Sequence, residues 1–199
     1  MPRMDLSSAA HLLNRLADSA EKAIMPNFRA LTSVENKAGT GFDPVTKADR
    51  DAEIAMREVI AAEFPDHGIV GEEFGDLHPD AEWVWVLDPI DGTRAFISGL
   101  PTWGTLIGLT RNRRPVLGMM AQPFTGERFS GDRRHASYTE PGGPRDLRTR
   151  PCKRLEDAVL FTTTPAMFSS TEAPYYRHVE SSVRLVRYGV DCYAYAMVA

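Results

Sequence analysis

W-V-W-V-L-D-P-I-D-G-T-R-A-F-I-S-G-L-P-T-W, running from Trp83 to Trp103, joins three signals in one stretch. An apolar run, Trp83 to Leu87, stops at two carboxylates, Asp88 and Asp91. Between them Pro89 has no N–H to donate and fixes its own φ, which favours a bend. Gly92 and Thr93 follow, then a segment able to form a helix. The reading is a buried strand, a tight acidic turn and a helix start. Carboxylate oxygens suit a hard divalent cation, and the free N–H groups of a helix start suit a phosphate.

The neighbouring segments extend this reading. On the N-terminal side, G-I-V-G-E-E-F-G (Gly68 to Gly75) is a short apolar strand ending in Glu72 and Glu73. Two adjacent acids at a strand end are usually plain surface, but here a second acidic strand end follows closely, which points to a shared cation site. On the C-terminal side, Thr102 to Gln122 alternates as two antiparallel strands about a turn at Asn112 to Pro115. Trp103, Thr105, Ile107 and Leu109 fall on one face. Glu127 to Gly131 adds a third strand to this meander.

Ser7 to Leu31 carries apolar residues at helical spacing (Leu12, Leu16, Ala20, Ile24), with Pro26 as a kink or break. Ser33 to Asp43 reads as a loop in which Lys37 sits alone, and composition makes it a solvated lysine. Val45 to Phe64 reads as a second helix opened by Thr46 with Asp49 three residues on, a capping pair that gives Asp49 a structural role of its own. Pro65 closes it. Arg133 to Pro151 reads as an exposed loop or edge hairpin before a domain boundary. Beyond it come a buried strand (Ala158 to Thr164), a short helix (Pro174 to Ser181), a strand (Val183 to Arg187) and a helical segment from Val190 to Ala199. That last segment carries no stop signal, so the natural domain is expected to continue.

With 199 residues, ordinary apolar content and a net charge of −4, the chain is expected to pack a core, and general nucleic-acid binding is disfavoured. It shows no signal-peptide pattern and no apolar run of membrane-spanning length. Cys152 and Cys192, far apart, read as buried thiols of a cytoplasmic protein. The histidines (His11, His67, His78, His135, His178) lack zinc-ligand spacing and receive no role. Neither a P-loop nor a G-x-S-x-G elbow is present.

Asp49, Glu72, Glu73, Asp88 and Asp91 in one cleft would raise one another's pKa, and a bound cation would remove that cost. An all-oxygen set points to Mg2+ or Mn2+. Thr93 either satisfies a free backbone donor or holds a water, and Gly92 lets a phosphate approach the backbone. Two cations about 3.5–4 Å apart would align water and leaving oxygen for phosphomonoester hydrolysis.

G-E-E at 71–73 followed by W-V-L-D-P-I-D-G-T at 85–93 resembles the inositol monophosphatase family, supported by D-P-V-T-K-A-D at 43–49 and Y-G-V-D-C-Y-A-Y-A at 188–196. R-A-F-I-S-G-L-P-T-W-G-T-L-I at 94–107 looks most like its histidinol-phosphate phosphatase branch, which serves histidine biosynthesis. The resemblance implies a layered α+β and α/β sandwich (αβαβα, sugar-phosphatase type) with N-terminal helices on a mostly antiparallel sheet. Residues 1–151 would form the metal-binding domain and 152–199 the start of an incomplete α/β domain. It implies a lithium-sensitive phosphatase using two or three Mg2+ ions, with Mn2+ as a substitute, and a homodimer acting on a small phosphorylated metabolite.

By position, Glu72, Asp88 and the Ile90 carbonyl would hold the first metal, with Asp88 and Asp91 on the second. Glu72 and Thr93 would orient the water, and Asp49 would support Thr93. Gly92 and Thr93 would donate N–H groups to the phosphate, Glu73 would be a nearby acid, Lys37 a peripheral helper, and Asp191 would face the organic part of the substrate. The family's later Trp-Asp-x-x-Ala segment, which completes the second metal site, is not found before Ala199. The expected reaction is histidinol-phosphate hydrolysis. The alternatives are inositol-1-monophosphate or a 3'-phosphonucleotide as substrate, or an inactive remnant serving as a binding module.

Overall fold

The computed structural model describes residues 6–30, 34–36, 44–140 and 142–199. Helix α1 (Leu6–Ile24) buries Leu12, Leu13, Leu16, Ala20 and Ile24 along one stripe, as the 3.6-residue period requires. It ends in a 3-10 turn, Met25–Asn27, that carries Pro26. The expected loop after it is partly strand: β1 (Val34–Asn36) pairs antiparallel with β2 (Pro44–Thr46). This pairing joins residues on either side of the glycines, a non-local contact that local spacing does not encode.

Helix α2 (Lys47–Glu63) therefore starts two residues later than its apolar pattern suggests. The capping box is present. Asp49 Oδ2 accepts from the Thr46 N–H at 2.8 Å and from its hydroxyl at 2.6 Å, and Thr46 Oγ1 accepts from the Ala48 N–H at 3.2 Å. Both residues are buried. Thr46→Ala is expected to lower stability by about 1–2 kcal/mol, read as a shift in urea midpoint without a change in slope. No shift would mean that the cap does not hold α2.

The main sheet has the order β3 (Gly68–Gly71), β4 (Trp83–Asp91), β5 (Gly104–Arg111), β6 (Arg114–Gln122), β7 (Glu127–Asp132), β8 (Ala136–Glu140), β9 (Gly143–Asp146). Only β3 and β4 run parallel; every other neighbouring pair is antiparallel. The exposed stretch after Asp132 is thus an edge hairpin. Helices α1 and α2 pack on each other and on one face of this sheet. Trp85 and Trp103 are fully buried there, with Phe96 edge-on to Trp103 at 5.1 Å between ring centroids. His67 has a core role that its sequence context concealed: its Nδ1 accepts from Trp85 Nε1 at 3.1 Å.

One feature of β4 differs from the expected turn. The strand continues through Pro89 to Asp91, with Asp88 opposite Leu106 and Asp91 opposite Gly104. Three steps on β4 thus face two on β5, which is a bulge. Pro89 is tolerated there because a bulge asks for no ladder N–H. Its carbonyl accepts from the buried Thr105 hydroxyl at 2.8 Å. Helix α3 (Thr93–Ile97) follows at once.

In the last quarter, β10 (Val159–Thr162) and β11 (Leu185–Tyr188) form a separate parallel pair around helix α4 (Ala173–Glu180). The strand expected to be buried at Ala158–Thr164 is only half-buried, and Val159, Leu185 and Tyr188 are exposed. Two strands alone do not cover each other's faces. The final helix, α5, is confined to Tyr193–Ala196. Cys192 is buried as expected, but Cys152 is exposed, and both are free thiols. Among the described residues no helix is long and apolar enough to cross a membrane.

Candidate metal and phosphate site

Parallel pairing sets the first two acids side by side. Gly71 lies opposite Leu87, so Glu72, just past β3, and Asp88, in the last part of β4, come out side by side. The bulge then brings Asp91 back to the same end. Asp88 Oδ1 is buried and has no hydrogen-bond partner. Burial first, then the Glu72 charge and a hydrogen bond with it, push the Asp88 carboxyl up to about 8, with Asp91 and Asp49 adding to the rise. Burial also raises Asp91, opposed by hydrogen bonds from Cys192.

Asp191 lies against the helix start. A Cβ placed on Gly92 would meet the Asp191 Cβ at 2.9 Å. Burial and the Asp91 charge raise the Asp191 carboxyl, and Arg94 opposes them. Gly92 caps α3 at φ 91°, ψ 40°, in the left-handed region. The N–H groups of Gly92 and Thr93 precede the first donor of the intrahelical ladder, which begins with Phe96 N–H to Gly92 O at 3.0 Å.

The structure thus brings Asp49, Glu72, Asp88, Asp91, Gly92, Thr93 and Asp191 into one region. Lys37 lies outside the described residues. Thr93 and Asp49 each also have a local partner. The hydroxyl of Thr93 donates to Ile90 O at 3.1 Å, while Asp49 Oδ2 is engaged by Thr46. The helix-cap geometry of each residue is satisfied locally first. Among the described residues no three acid, histidine or cysteine side chains form a closed ligand set. Clustered negative charges do not close on one another without a counter-charge. The unpartnered, buried Asp88 Oδ1 and the all-oxygen donor set fit a hard divalent cation.

The sequence gives Cys192 only the place of a buried thiol, not a contact with the acids. Its N–H donates to Asp91 Oδ1 at 3.0 Å and its Sγ to Asp91 O at 3.8 Å. Burial pushes its thiol up, so it is an inert neighbour rather than a nucleophile. Its adjacency to Asp191 was the one available clue. The open hollow lined by Pro65, His78 and Asp80 lies at the opposite ends of β3 and β4.

These shifts set a pH dependence. A carboxyl raised in the folded state binds its proton more tightly there than when unfolded. The Asp88 penalty is absent below the ordinary carboxylate range and grows until the pH reaches about 8. His67 is lowered by burial, so its contribution to stability is lost as pH falls through the ordinary histidine range. In EDTA the chain is expected to lose stability between neutrality and about pH 8, where His67 no longer titrates. Thermal midpoints across that window check this, and a rising midpoint would contradict it.

A carboxylate cluster at the ends of β3 and β4 thus lies against a glycine-capped helix, on a mixed sheet covered by two helices. The family model of the inositol monophosphatase family matches residues 5–199. The chain is 41% identical to the bifunctional phosphatase IMPL2, chloroplastic, of Arabidopsis thaliana, over 98% of this chain and 56% of that protein. It is 34% identical to a histidinol-phosphatase of Chlorobaculum parvum, over 92% of this chain and 70% of that protein. An inositol monophosphatase structure from Zymomonas mobilis superposes with a TM-score of 0.83 at 41% identity, covering 98% of this chain and 74% of that one. The chain belongs to the inositol monophosphatase family, a family of phosphatases. It spans little more than half the length of the Arabidopsis relative.

Proposed function

We propose that this chain carries the metal and phosphate site of a Mg2+-dependent phosphomonoesterase, with histidinol phosphate as substrate. The observation that carries the reading is the buried, unpartnered Asp88 Oδ1 beside Glu72 and Asp91, a site that repels itself until a cation is present. The substrate assignment is supported by likeness to proteins named histidinol-phosphatase from Chlorobaculum parvum, Streptomyces coelicolor and Mycobacterium tuberculosis. In this reading residues 1–151 form the metal-binding unit and 152–199 open an α/β unit.

Glu72, Asp88, Asp91 and the Ile90 carbonyl would hold Mg2+, which supplies Lewis-acid polarisation of a phosphoryl oxygen and a more acidic water. The Gly92 and Thr93 N–H groups donate to phosphate oxygens at the helix start. Glu72 accepts a proton from the attacking water, and the Thr93 hydroxyl, released from Ile90 O, orients that water. Asp49 fixes the start of α2 and adds negative charge to the same field. Asp191, packed on Gly92, faces the organic part of the substrate, where a carboxylate favours the cationic amine of histidinol.

Phosphate release from histidinol phosphate and from inositol monophosphate, each with Mg2+ and with EDTA, tests the reading. Mg2+-dependent release that favours histidinol phosphate is expected. A preference for inositol monophosphate would overturn the substrate, and the absence of both Mg2+ binding and release would overturn the site.

A further inference from the structure

Helix α2 buries a carboxylate that the reaction above leaves unused. Glu53 is 0% exposed. Its Oε1 accepts from Arg57 Nε at 2.8 Å, with Arg57 Nη2 also 2.8 Å away. Its Oε2 accepts from the Glu73 N–H at 2.8 Å. Arg57 Nη2 continues outward to Phe74 O at 3.3 Å and Gly75 O at 3.0 Å. The guanidinium carbon lies 5.9 Å from the Phe74 ring centroid. A Cβ on Gly71 would stand 2.0 Å from Glu53 Oε1, so only glycine there admits the carboxylate. One ion pair on α2 thus grips three successive backbone groups just after Glu72.

A buried ion pair is a poor source of stability compared with apolar residues of the same size. Its use here is geometric. Glu72 leaves β3 beside Asp88, and like charges drive these strand ends apart. A segment tied only by its own backbone would swing outward and carry Glu72 with it. The fork of Arg57 and the two oxygens of Glu53 oppose that motion at Glu73, Phe74 and Gly75.

We propose that Glu53 and Arg57 are positioning residues that hold Glu72 at the cation site and thereby set the divalent-cation affinity of the chain. This rests on the metal-site reading given above. The experiment is isothermal titration of the full chain with Mg2+, together with amide hydrogen exchange, for the unaltered chain, Glu53→Gln, Arg57→Lys and Asp91→Asn. Lysine keeps the charge but not the fork, and glutamine keeps an acceptor but not the charge. Each is expected to weaken Mg2+ binding by about 10–100-fold, the usual cost of losing a group that orients a metal ligand. Each should also speed exchange at the Glu73 amide while leaving β5 and β6 amides unchanged.

In the unaltered chain, saturating Mg2+ should slow the Glu73 amide more than those of β6. This measurement stands even if a variant fails to fold, and an unchanged Glu73 rate overturns the proposal. Mg2+ affinity that falls in Asp91→Asn but not in Glu53→Gln or Arg57→Lys overturns the clamp alone. Binding indifferent to Asp91→Asn overturns the metal-site reading, and the role of the clamp with it.

Discussion

Asp88→Asn is expected to reduce Mg2+-dependent phosphate release by about a thousandfold or more, several kcal/mol of transition-state stabilisation. The metal-free chain should nevertheless stay folded and become more stable at alkaline pH. The two halves of this result have one cause. Asp88 carries the buried, unpartnered oxygen of the cluster, Oδ1, and its carboxyl is pushed up to about 8. Asparagine keeps the shape and can donate to Glu72, but it carries no charge. It removes the repulsion that destabilises the empty cluster and, with it, the negative charge that a cation needs. Release is measured at saturating Mg2+ and thermal midpoints in EDTA. Undiminished release would remove Asp88 from the site. A midpoint that falls at alkaline pH would show that Asp88 is held by a partner rather than opposed by its neighbours.

Gly92→Ala should be nearly as damaging to activity, for steric reasons. Gly92 sits at φ 91°, where an L-residue costs about 1–2 kcal/mol. The added Cβ would lie 2.9 Å from Asp191 Cβ and 3.1 Å from its Cγ and Oδ2. Asp191 is itself left-handed, at φ 47°, and the next residue's N–H holds Asp91. Displacing Asp191 therefore disturbs both the substrate side and a proposed metal ligand. A loss of release of about a hundredfold is expected, the scale of a misplaced reactive group. Gly99→Ala is the matched control. It meets the same backbone penalty at φ 75°, but the nearest atom to its Cβ is Arg29 Cγ at 3.4 Å. Gly92→Ala should lose more stability than Gly99→Ala because of the added clash, and it alone should lose release. Equal activity losses would mean that strain alone, and not the Asp191 contact, is responsible.

The contrast between α2 and the strands around it shows where sequence reading succeeds. The α2 cap, the apolar stripe of α1 and the β5–β6 hairpin depend on residues within a few positions of one another. Thr46 and Asp49 are three apart, and their side chains meet through local geometry alone. The Pro89 bulge was half legible: the missing N–H announced a break in pairing, but whether the strand ended or bulged depended on Thr105, sixteen residues away, meeting the Pro89 carbonyl. Glu53 carried a weak signal, an acid on the apolar side of α2 with Arg57 one turn on. Such pairs are usually solvent-exposed. Its grip on Glu73 needed the fold.

By itself the sequence determined helices α1 and α2, the β5–β6 hairpin, the clustered acids, the glycine at the helix start and the likeness to one family, because each is written in short-range periodicity or an unbroken motif. The tertiary structure alone decided that β3 and β4 run parallel, so that Glu72 meets Asp88. It also decided that Cys192 ties Asp91 and that Asp191 lies on Gly92. Those contacts join residues from sixteen to about a hundred positions apart. Their geometry follows from sheet register and packing, which no local pattern of residues specifies.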